Sequence, residues 1–387
     1  MFKELDYLDF DSLLSEDEIV IRDSVREFVE EELMPDIATH WENGTFPKEK
    51  IAKMGELGFL GANLPEEYGC SGLNNVAYGL INQELERCDS GIRSFASVQS
   101  SLVMYPIFAY GSEEQKKYWL PKLASGEKIG CFGLTEPDYG SNPSGMVTTA
   151  VEDGDEYVIN GAKMWITNGT ISDIAVVWAK LNGRIKGFLV ETDREGFTQP
   201  EMHHKVSLRA SVTSELVFDN VRIPKENMLP KADGLSGPLG CLTQARYGIG
   251  WGAIGAAQAC FDEALQYSKD RVQFGKPIAG FQLVQQKLAE IATEITKAQF
   301  MTLQMGRLKD RGEYTTAQVS MCKRNNVNMA LETARTTRNM LGANGISLEY
   351  QAIRHMNNLE SVYTYEGTHD IHTLIIGHEL TGIPAYK

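Results

Sequence analysis

The sequence contains 387 residues, of which 23% are charged and 42% belong to the hydrophobic set, a composition typical of water-soluble globular proteins. Acidic side chains outnumber basic ones by 52 to 37, and the formal net charge of −15 argues against nucleic acid as a main partner. The sequence has no run of about 18 apolar residues, so we expect no membrane-spanning helix. Six scattered cysteines and an acidic N-terminal stretch without a signal- or transit-peptide pattern favour a reduced, cytoplasmic protein.

The first part of the chain has the periodicity of helices. Ser15 to Glu18 form a capping-box pattern, and an apolar stripe from Ile21 to Leu33 follows it. Further helices are predicted over residues 48–58, 75–88, 93–109 and 113–124. Because the length allows two or three domains, we assign residues 1–128 to an N-terminal helical domain.

Between residues 129 and 237 the pattern changes to short alternating runs that are typical of strands. Asn-Gly pairs at 160–161, 168–169 and 182–183 separate several of these runs. Such pairs readily take positive φ, so we expect hairpin turns at these places. The segment is therefore predicted to be a middle antiparallel β domain over residues 129–237.

Long helices are predicted again after Pro238, over residues 238–270, 281–311 and 315–341, with two shorter helices beyond them. Antiparallel neighbours with short connections suggest a C-terminal four-helix bundle over residues 238–387. The expected fold class is a multi-domain α+β protein with an N-terminal α-helical domain, a middle antiparallel β domain and a C-terminal bundle.

A G-x-G-x-x-G pattern at Gly250, Gly252 and Gly255 has the spacing of a dinucleotide-binding fingerprint. That fingerprint needs a strand before the glycines and a βαβ unit around them. Here the stretch lies inside a helical pattern without a preceding strand. We therefore interpret the glycines as positions where helices approach closely, and we reject a Rossmann fold.

The stretch Tyr-Glu-Gly-Thr-His-Asp-Ile-His at residues 365–372 combines carboxylates and imidazoles within eight positions. Glu366 and His369 have the E-x-x-H spacing that a di-iron bundle uses twice, with a further Glu from each of two other helices. The only other match, Glu201 with His204, falls in the predicted β region. We therefore expect no metal site.

A plainer alternative for the same stretch is the solvated start of a helix. Thr368 would cap that helix and Asp370 would complement its dipole. This alternative leaves Tyr365, Glu366 and Gly367 without an explanation.

Four motifs occur in one order across this layout. They are Phe132-Gly-Leu-Thr-Glu-Pro-Asp-Tyr-Gly-Ser141, Trp165-Ile-Thr167, Asp270-Arg271-Val-Gln-Phe274-Gly275 and Tyr365-Glu366-Gly367-Thr368. In combination they resemble the motifs of acyl-CoA dehydrogenases, and the resemblance extends over essentially the whole chain. Within that family, the stretches 91–94, 98–104 and 358–382 are most similar to the glutaryl-CoA dehydrogenases.

The resemblance implies FAD as the cofactor. The flavin ring would be lined by Phe132, Leu134 and Thr135 of the first motif and by Trp165, Ile166 and Thr167 of the second. Gly140 and Ser141 are further expected cofactor contacts. Taken alone, Trp165 in a strand would rather be a core residue. Thr368 and Asp370 are also expected to contact the cofactor instead of a metal.

In related enzymes, a second set of cofactor-binding residues serves the flavin of a neighbouring subunit. Arg271 would bind the pyrophosphate of FAD, because arginine binds phosphate oxygens bidentately. Taken alone, it would be a solvated charge at a helix end. The other positions in this set are Phe274, Gln282, Asn339, Leu341 and Gly342. The resemblance therefore implies a homo-oligomer, expected to be a homotetramer.

Glu366 resembles the catalytic base of the glutaryl-type enzymes. The reaction removes an α-proton next to a thioester carbonyl, and desolvation by the bound substrate would raise the pKa of the carboxylate to suit that task. The resemblance also implies that the backbone N–H of Glu366 and a ribityl hydroxyl of FAD bind the carbonyl oxygen. Gly367 would let the substrate pass close to the chain.

Arg93 carries the expectation about the substrate. A plain acyl chain would leave this cation unpaired in an apolar pocket, whereas a dicarboxylate thioester would pair with it. In the enzymes it resembles, Ser94 lies beside this arginine and Glu86 holds it. The alternative is a surface ion pair between Arg93 and Asp89, which would contribute little. The remaining expected substrate contacts are Ser141 with pantetheine, Leu239 with the CoA portion, Arg246 and Gly367 near the substrate, and Tyr365, which would help to steer the distal carboxylate.

The implied reaction is α,β-dehydrogenation of glutaryl-CoA, followed by loss of the distal carboxylate to give crotonyl-CoA and carbon dioxide. The electrons would pass to an electron-transfer flavoprotein, in a role in amino-acid degradation. One alternative is an enzyme that stops at glutaconyl-CoA, and another is a short- or branched-chain acyl-CoA dehydrogenase or an oxygen-using oxidase on the same scaffold. A di-iron oxidase and a helical scaffold without chemistry are the alternatives from other classes.

Overall fold

The computed structural model describes residues 6–385, so the ends of the two predicted helical domains, residues 1–5 and 386–387, lie outside the described residues. Helices occupy both ends of the described chain, and a seven-stranded sheet lies between them. The predicted fold class is thereby confirmed. Within residues 6–385, no helix combines the length and apolarity that crossing a bilayer requires.

The N-terminal part consists of helices that begin close to the predicted positions. Ser15 caps the first one: its Oγ accepts the N–H of Glu18 at 3.3 Å, and the Glu18 carboxylate accepts the N–H of Ser15 at 2.8 Å. The helix predicted over 93–109 is divided by a π-helical stretch, Val98–Met104. The bounds are α1 (Glu16–Phe28), α2 (Ile37–Asn43), α3 (Ile51–Glu56), α4 (Asn75–Cys88), α5 (Ser90–Ser97), α6 (Tyr105–Tyr110) and α7 (Glu113–Ala124).

The middle part is a sheet whose central strand, β4, has neighbours on both edges. It pairs with β1 and β2 in parallel along one edge and with β5 antiparallel along the other. The β domain is confirmed, but the sheet is mixed instead of purely antiparallel, because β2 and β3 intervene between β1 and β4 in the chain. The bounds are β1 (Gly130–Gly133), β2 (Thr149–Asp153), β3 (Glu156–Thr167), β4 (Ile174–Leu181), β5 (Arg184–Glu191), β6 (Phe197–Thr198) and β7 (Thr213–Pro224).

Only one of the three Asn-Gly pairs forms the predicted hairpin turn. Asn182 and Gly183, with φ of 50° and 79°, connect β4 to β5. The pair at 160–161 instead lies inside β3 at a shift in its register with β7. The pair at 168–169 follows β3 and begins a 3-10 turn toward β4. Residues with positive φ occur in β-bulges and at the ends of strands as well as in hairpin turns. An Asn-Gly pair alone therefore does not predict which of the three will form.

The C-terminal part contains the long helices that the sequence predicts. The first of them begins at Ser236, two residues before the predicted start of the C-terminal domain. A two-stranded hairpin, β8 (Val272–Gln273) with β9 (Lys276–Pro277), separates it from the next helix. The bounds are α8 (Ser236–Asp270), α9 (Gln282–Asp310), α10 (Thr316–Met340), α11 (Ala352–Thr364) and α12 (His369–Thr381).

The glycines of the G-x-G-x-x-G pattern lie in α8, where it packs against α4. A Cβ on Gly252 would lie 2.0 Å from Oε2 of Glu86, and a Cβ on Gly255 would lie 1.9 Å from the carbonyl oxygen of Gln83. Side chains at these two positions would therefore push the helices apart. The interpretation as close helix packing is confirmed, and Gly252 in addition makes room for a buried carboxylate.

Candidate active site

A large cavity lies where the sheet meets helices α5, α8, α11 and α12. Its volume of about 1,620 Å³ exceeds the roughly 300–1,000 Å³ of an ordinary small-molecule pocket, so it has room for more than one ligand. Most of the predicted site residues line it: Arg93, Ser94, Phe132, Leu134, Thr135, Gly140, Ser141, Trp165, Ile166, Thr167, Leu239, Arg246, Tyr365, Glu366, Gly367 and Thr368.

The other predicted site residues lie away from the lining of this cavity. Glu86 lies behind Arg93, and the side chain of Leu341 is buried in its own helical bundle. Phe274 is 94% exposed on the loop between β8 and β9. The remaining residues of this group are also on the surface: Arg271, Gln282, Asn339, Gly342 and Asp370. Their assigned contacts with a cofactor stay predictions.

Glu366 lies in the short loop between α11 and α12 and has an unusual backbone. Its φ is 51°, in the left-handed region that side chains other than glycine rarely adopt, and Gly367 follows with φ of 92°. Its Oε2 atom is buried and has no hydrogen-bond partner among residues 6–385. Burial raises the pKa of Glu366 to about 6, although Arg93, Arg246 and Lys323 oppose the rise. The carboxylate is therefore poised as a base near neutral pH.

Two cations from other helices hold the three carbonyls of this loop. Lys323, on α10, donates from Nζ to the carbonyl oxygens of Tyr365 and Gly367, each at 3.0 Å. Arg246, on α8, donates from Nε to the carbonyl oxygen of Glu366 at 2.8 Å. Lys323 is not among the residues predicted from the sequence. The one signal for it was a lysine among the buried positions of α10, such as Ser320 and Val327.

The histidines of the loop do not act together with Glu366 as metal ligands. His369 stacks on Tyr363 with ring centroids 4.4 Å apart. His372 is buried on α12, and burial lowers its pKa to about 2, so the ring is neutral. Among the described residues, no group of three or more His, Cys, Asp or Glu side chains could hold a metal ion. Thr368 caps α12 by accepting the N–H of Ile371 at 3.2 Å, as the helix-start alternative predicts, and it also lines the cavity.

Arg93 is a buried cation on the cavity wall. Its side chain is 1% exposed, and its Nε donates to Oε2 of Glu86 at 2.6 Å. Glu86 in turn accepts a hydrogen bond from the hydroxyl of Ser90 at 2.7 Å. Nη2 of Arg93 donates to the hydroxyl of Tyr365, which lies 3.1 Å from the hydroxyl of Ser94. The guanidinium is thus fixed on one side by Glu86 and directed on the other toward the loop that carries Glu366.

The alternative of a surface ion pair between Asp89 and Arg93 is wrong. Asp89 caps α5 by accepting the N–H of Gly91 at 2.7 Å. Its other carboxylate oxygen accepts hydrogen bonds from Arg354 at 2.6 Å and from Asn358 at 2.8 Å. Both side chains are buried, and the guanidinium of Arg93 is bound to Glu86 instead.

On the sheet side, a buried ion pair fixes the segment that follows β1. The carboxylate of Glu136 accepts Nζ of Lys163 at 2.8 Å, as well as the backbone N–H groups of Val147 and Thr148. Lys163 also donates to the carbonyl oxygen of Leu134 at 3.2 Å. Lys163 was not predicted either, since a lysine in a strand usually lies on the surface.

Trp165 lies at a register irregularity between β3 and β7 and faces the cavity. Its φ is 63° and its side chain is 59% exposed, so the alternative of a core residue is wrong. Thr135 and Thr167 line the cavity together with it. The wall therefore presents an indole beside two hydroxyl-bearing residues.

Models of all three acyl-CoA dehydrogenase domains match this chain: the N-terminal domain over residues 15–127, the middle domain over 131–221 and the C-terminal domain over 232–381. A glutaryl-CoA dehydrogenase from Mycobacterium smegmatis, solved in complex with FADH2, is 52% identical, with a TM-score of 0.97 and coverage of 99% of each chain. An acyl-CoA dehydrogenase of Bacillus subtilis (strain 168) is 36% identical over 95% of this chain and 99% of its own length. A glutaryl-CoA dehydrogenase of Desulfococcus multivorans is 35% identical over 96% of this chain and 98% of its own length. The chain belongs to the acyl-CoA dehydrogenase family.

Proposed function

We propose that this acyl-CoA dehydrogenase uses FAD to dehydrogenate glutaryl-CoA and then releases the distal carboxylate as carbon dioxide. The observation that carries the proposal is the position of Arg93, a buried cation on the wall of the cavity that also contains Glu366. Arg93 donates to the hydroxyl of Tyr365, and Tyr365 directly precedes Glu366 in the chain.

The burial of Arg93 favours an acidic acyl group over a plain one. Transfer of an apolar chain next to a buried guanidinium would remove water from the cation without replacing its interactions. A distal carboxylate would instead form a charge-assisted hydrogen bond with it. Glu86 and Ser94 support this role, because they hold the guanidinium and the Tyr365 hydroxyl in place. The substrate chain would therefore extend from Glu366 toward Arg93.

The residues of the cavity fit FAD. The exposed indole of Trp165, held out by a left-handed backbone, offers a flat surface for an aromatic ring, and Thr135 and Thr167 offer hydroxyl groups beside it. Phe132, Leu134 and Ile166 would bind the ring, and Ser141 and Thr368 would contact the rest of the molecule. When bound, FAD would supply the acceptor for the hydride that leaves the β-carbon.

Glu366 would remove the α-proton. Its carboxylate has a raised pKa and a buried, unpaired Oε2, so it can accept a proton without first breaking a hydrogen bond. The protonated Glu366 would then return that proton to the γ-carbon after the carbon–carboxylate bond breaks. Atoms balance in this sequence: glutaryl-CoA loses two hydrogens to give glutaconyl-CoA, which loses carbon dioxide to give crotonyl-CoA. Arg93 and Tyr365 would orient the departing carboxylate.

The rate of this reaction should depend on pH through the ionisation of Glu366. Because the base must be unprotonated, kcat/KM should rise with pH on the acid side, with an apparent pKa near 6. The titration of His372 does not explain this rise of kcat/KM with pH, since its pKa is lowered to about 2. Stopped-flow measurement of flavin reduction between about pH 5 and pH 8 tests this. A rate that stays constant over that range would contradict the assignment.

Anaerobic mixing with glutaryl-CoA tests substrate and reaction together. The expected result is bleaching of the flavin absorbance, with crotonyl-CoA and one equivalent of carbon dioxide as products. Glutaconyl-CoA as the final product would show an enzyme that does not decarboxylate. Bleaching by butyryl-CoA but not by glutaryl-CoA would overturn the proposed substrate.

Four further assignments belong to this proposal. Exposed Arg271, Phe274 and Gln282 support a homotetramer in which each chain completes the cofactor site of a neighbour. An electron-transfer flavoprotein would accept the electrons, as the family resemblance implies. The six cysteines are free thiols, which supports a reducing, cytoplasmic compartment. A role in amino-acid degradation follows from the resemblance to glutaryl-CoA dehydrogenases alone.

A further inference from the structure

A lysine on α10 is buried directly beside the loop that carries Glu366. Lys323 is 1% exposed, and its Nζ donates to the carbonyl oxygens of Tyr365 and Gly367, the residues on either side of Glu366. Burial lowers the pKa of Lys323 to about 7, which shows how much solvation the ammonium gives up at this place. Burial of a cationic side chain costs free energy unless the charge is bound by polar groups. The contacts of Lys323 with the loop therefore call for a functional explanation.

The loop has a backbone that needs such support. Glu366 has a left-handed φ of 51°, and a side chain with a Cβ holds this conformation only where its surroundings enforce it. Lys323 bridges the carbonyls before and after the strained residue, and Arg246 binds the carbonyl of Glu366 itself. The three consecutive carbonyls are therefore held by two cations from two different helices.

We infer that Lys323 is a positioning residue for the catalytic carboxylate. By fixing the carbonyls of Tyr365 and Gly367, it keeps Glu366 in the left-handed turn that points its side chain into the cavity. The inference rests on the proposed role of Glu366 as the base. It adds Lys323 of α10 to the residues that support the base.

The charge of Lys323 also acts on Glu366 itself. A cation nearby favours the ionised carboxylate and so opposes the rise of its pKa. The other ionisable and charged groups that face Glu366 come from every element packed against the loop: Glu86 and Tyr78 on α4, Arg93 on α5, Arg246 on α8, Tyr365 beside it and His372 on α12. Removal of Lys323 leaves all of these in place, so its own contribution can be measured.

Lys323→Met removes both the hydrogen bonds and the charge. We expect flavin reduction by glutaryl-CoA to slow by about 100-fold, because a small displacement of a catalytic group has an effect of that order. KM should change by less than about threefold, since Lys323 is buried away from the substrate. The acid limb of the rate–pH profile should move to higher pH, because the carboxylate loses a cation that favours its ionised form.

Lys323→Gln separates the effect of the hydrogen bonds from the effect of the charge. It also provides a test if the Lys323→Met variant does not fold. Glutamine keeps N–H donors for the carbonyls without the charge, so it should retain more of the rate and show the same shift of the acid limb. Arg324→Met is the matched control, because Arg324 is the next residue on α10 and its Nε donates to the hydroxyl of Thr373 at the surface. It should leave both the rate and the pH profile unchanged.

A second readout does not involve the flavin. Acetyl-CoA has an α-carbon but no β-carbon to oxidise, so exchange of its α-hydrogens with solvent deuterium reports on the base alone. The exchange should slow in the Lys323 variants and stop in Glu366→Gln. Normal reduction, normal exchange and an unshifted acid limb in both Lys323 variants, with Glu366→Gln inactive, would overturn the inference. Full activity of Glu366→Gln would instead overturn the proposed base.

Discussion

Replacement of Glu366 by glutamine is expected to slow flavin reduction by glutaryl-CoA by at least about 1,000-fold, while the purified protein stays yellow. Glutamine keeps the size and the left-handed turn of the loop but accepts no proton from carbon. Because Oε2 of Glu366 has no hydrogen-bond partner among the described residues, the substitution breaks no protein contact of that atom. Stopped-flow absorbance under anaerobic conditions measures the rate.

A second carboxylate of the same cavity offers a matched control. Glu360 also lines the cavity but lies at its exposed edge, where it pairs with Arg335 at 2.5 Å. Glu360→Gln makes the same chemical change without touching the proposed base, so flavin reduction should stay within about twofold of the unmodified enzyme, since an exposed ion pair contributes little. If flavin reduction slowed equally in Glu366→Gln and Glu360→Gln, the rate would depend on the total charge of the cavity and not on a base at position 366.

Replacement of Arg93 by methionine is expected to lower the preference for glutaryl-CoA over butyryl-CoA by about 100-fold. Loss of one partner from a buried charge pair has an effect of about 2–5 kcal/mol, and about 1.4 kcal/mol corresponds to a factor of ten. Butyryl-CoA has no distal carboxylate, so its use should depend less on Arg93. The ratio of the two kcat/KM values is the measurement.

Arg93→Met also breaks the ion pair with Glu86, so a loss of activity could come from a loss of stability. A second substitution at Glu86 separates the two effects. Without Arg93, the carboxylate of Glu86 would remain buried with the hydroxyl of Ser90 as a donor. The double variant Arg93→Met/Glu86→Gln removes that unpaired charge and keeps a group that can bond Ser90. It should regain stability and butyryl-CoA turnover but not glutaryl-CoA turnover. If kcat/KM of the double variant is lowered equally for glutaryl-CoA and butyryl-CoA, Arg93 has a structural role only.

The sequence predicted those parts of the site that lie in short motifs. Arg93, Trp165 and Glu366 could be found because their neighbours in the chain resemble motifs of the acyl-CoA dehydrogenases. Lys323 and Lys163 could not, since each reaches its partner only through packing of elements far apart in sequence. A lysine in a helix or a strand looks like a surface residue until the structure shows it buried.

The fold was predicted at the level of domains and helices more accurately than at the level of strand pairing. Helical periodicity located α4 and α7 within a residue of their observed ends. The prediction of hairpin turns at 160–161 and 168–169 was wrong. The positive φ that Asn-Gly favours occurs there at a bulge in β3 and at the end of that strand. The left-handed φ of Glu366 could not be predicted at all, because it comes from Lys323 and Arg246 and not from the local sequence.

The exposed indole of Trp165 gives the protein a built-in optical probe. The chain has five tryptophans, of which Trp41, Trp178 and Trp251 are at most 9% exposed and Trp119 is half-buried, whereas Trp165 is 59% exposed on the cavity wall. The proposed flavin would cover this ring and displace water from it, so we expect Trp165 to contribute most of the change in emission when FAD binds. Occupancy can therefore be followed by intrinsic fluorescence, without a label and without turnover.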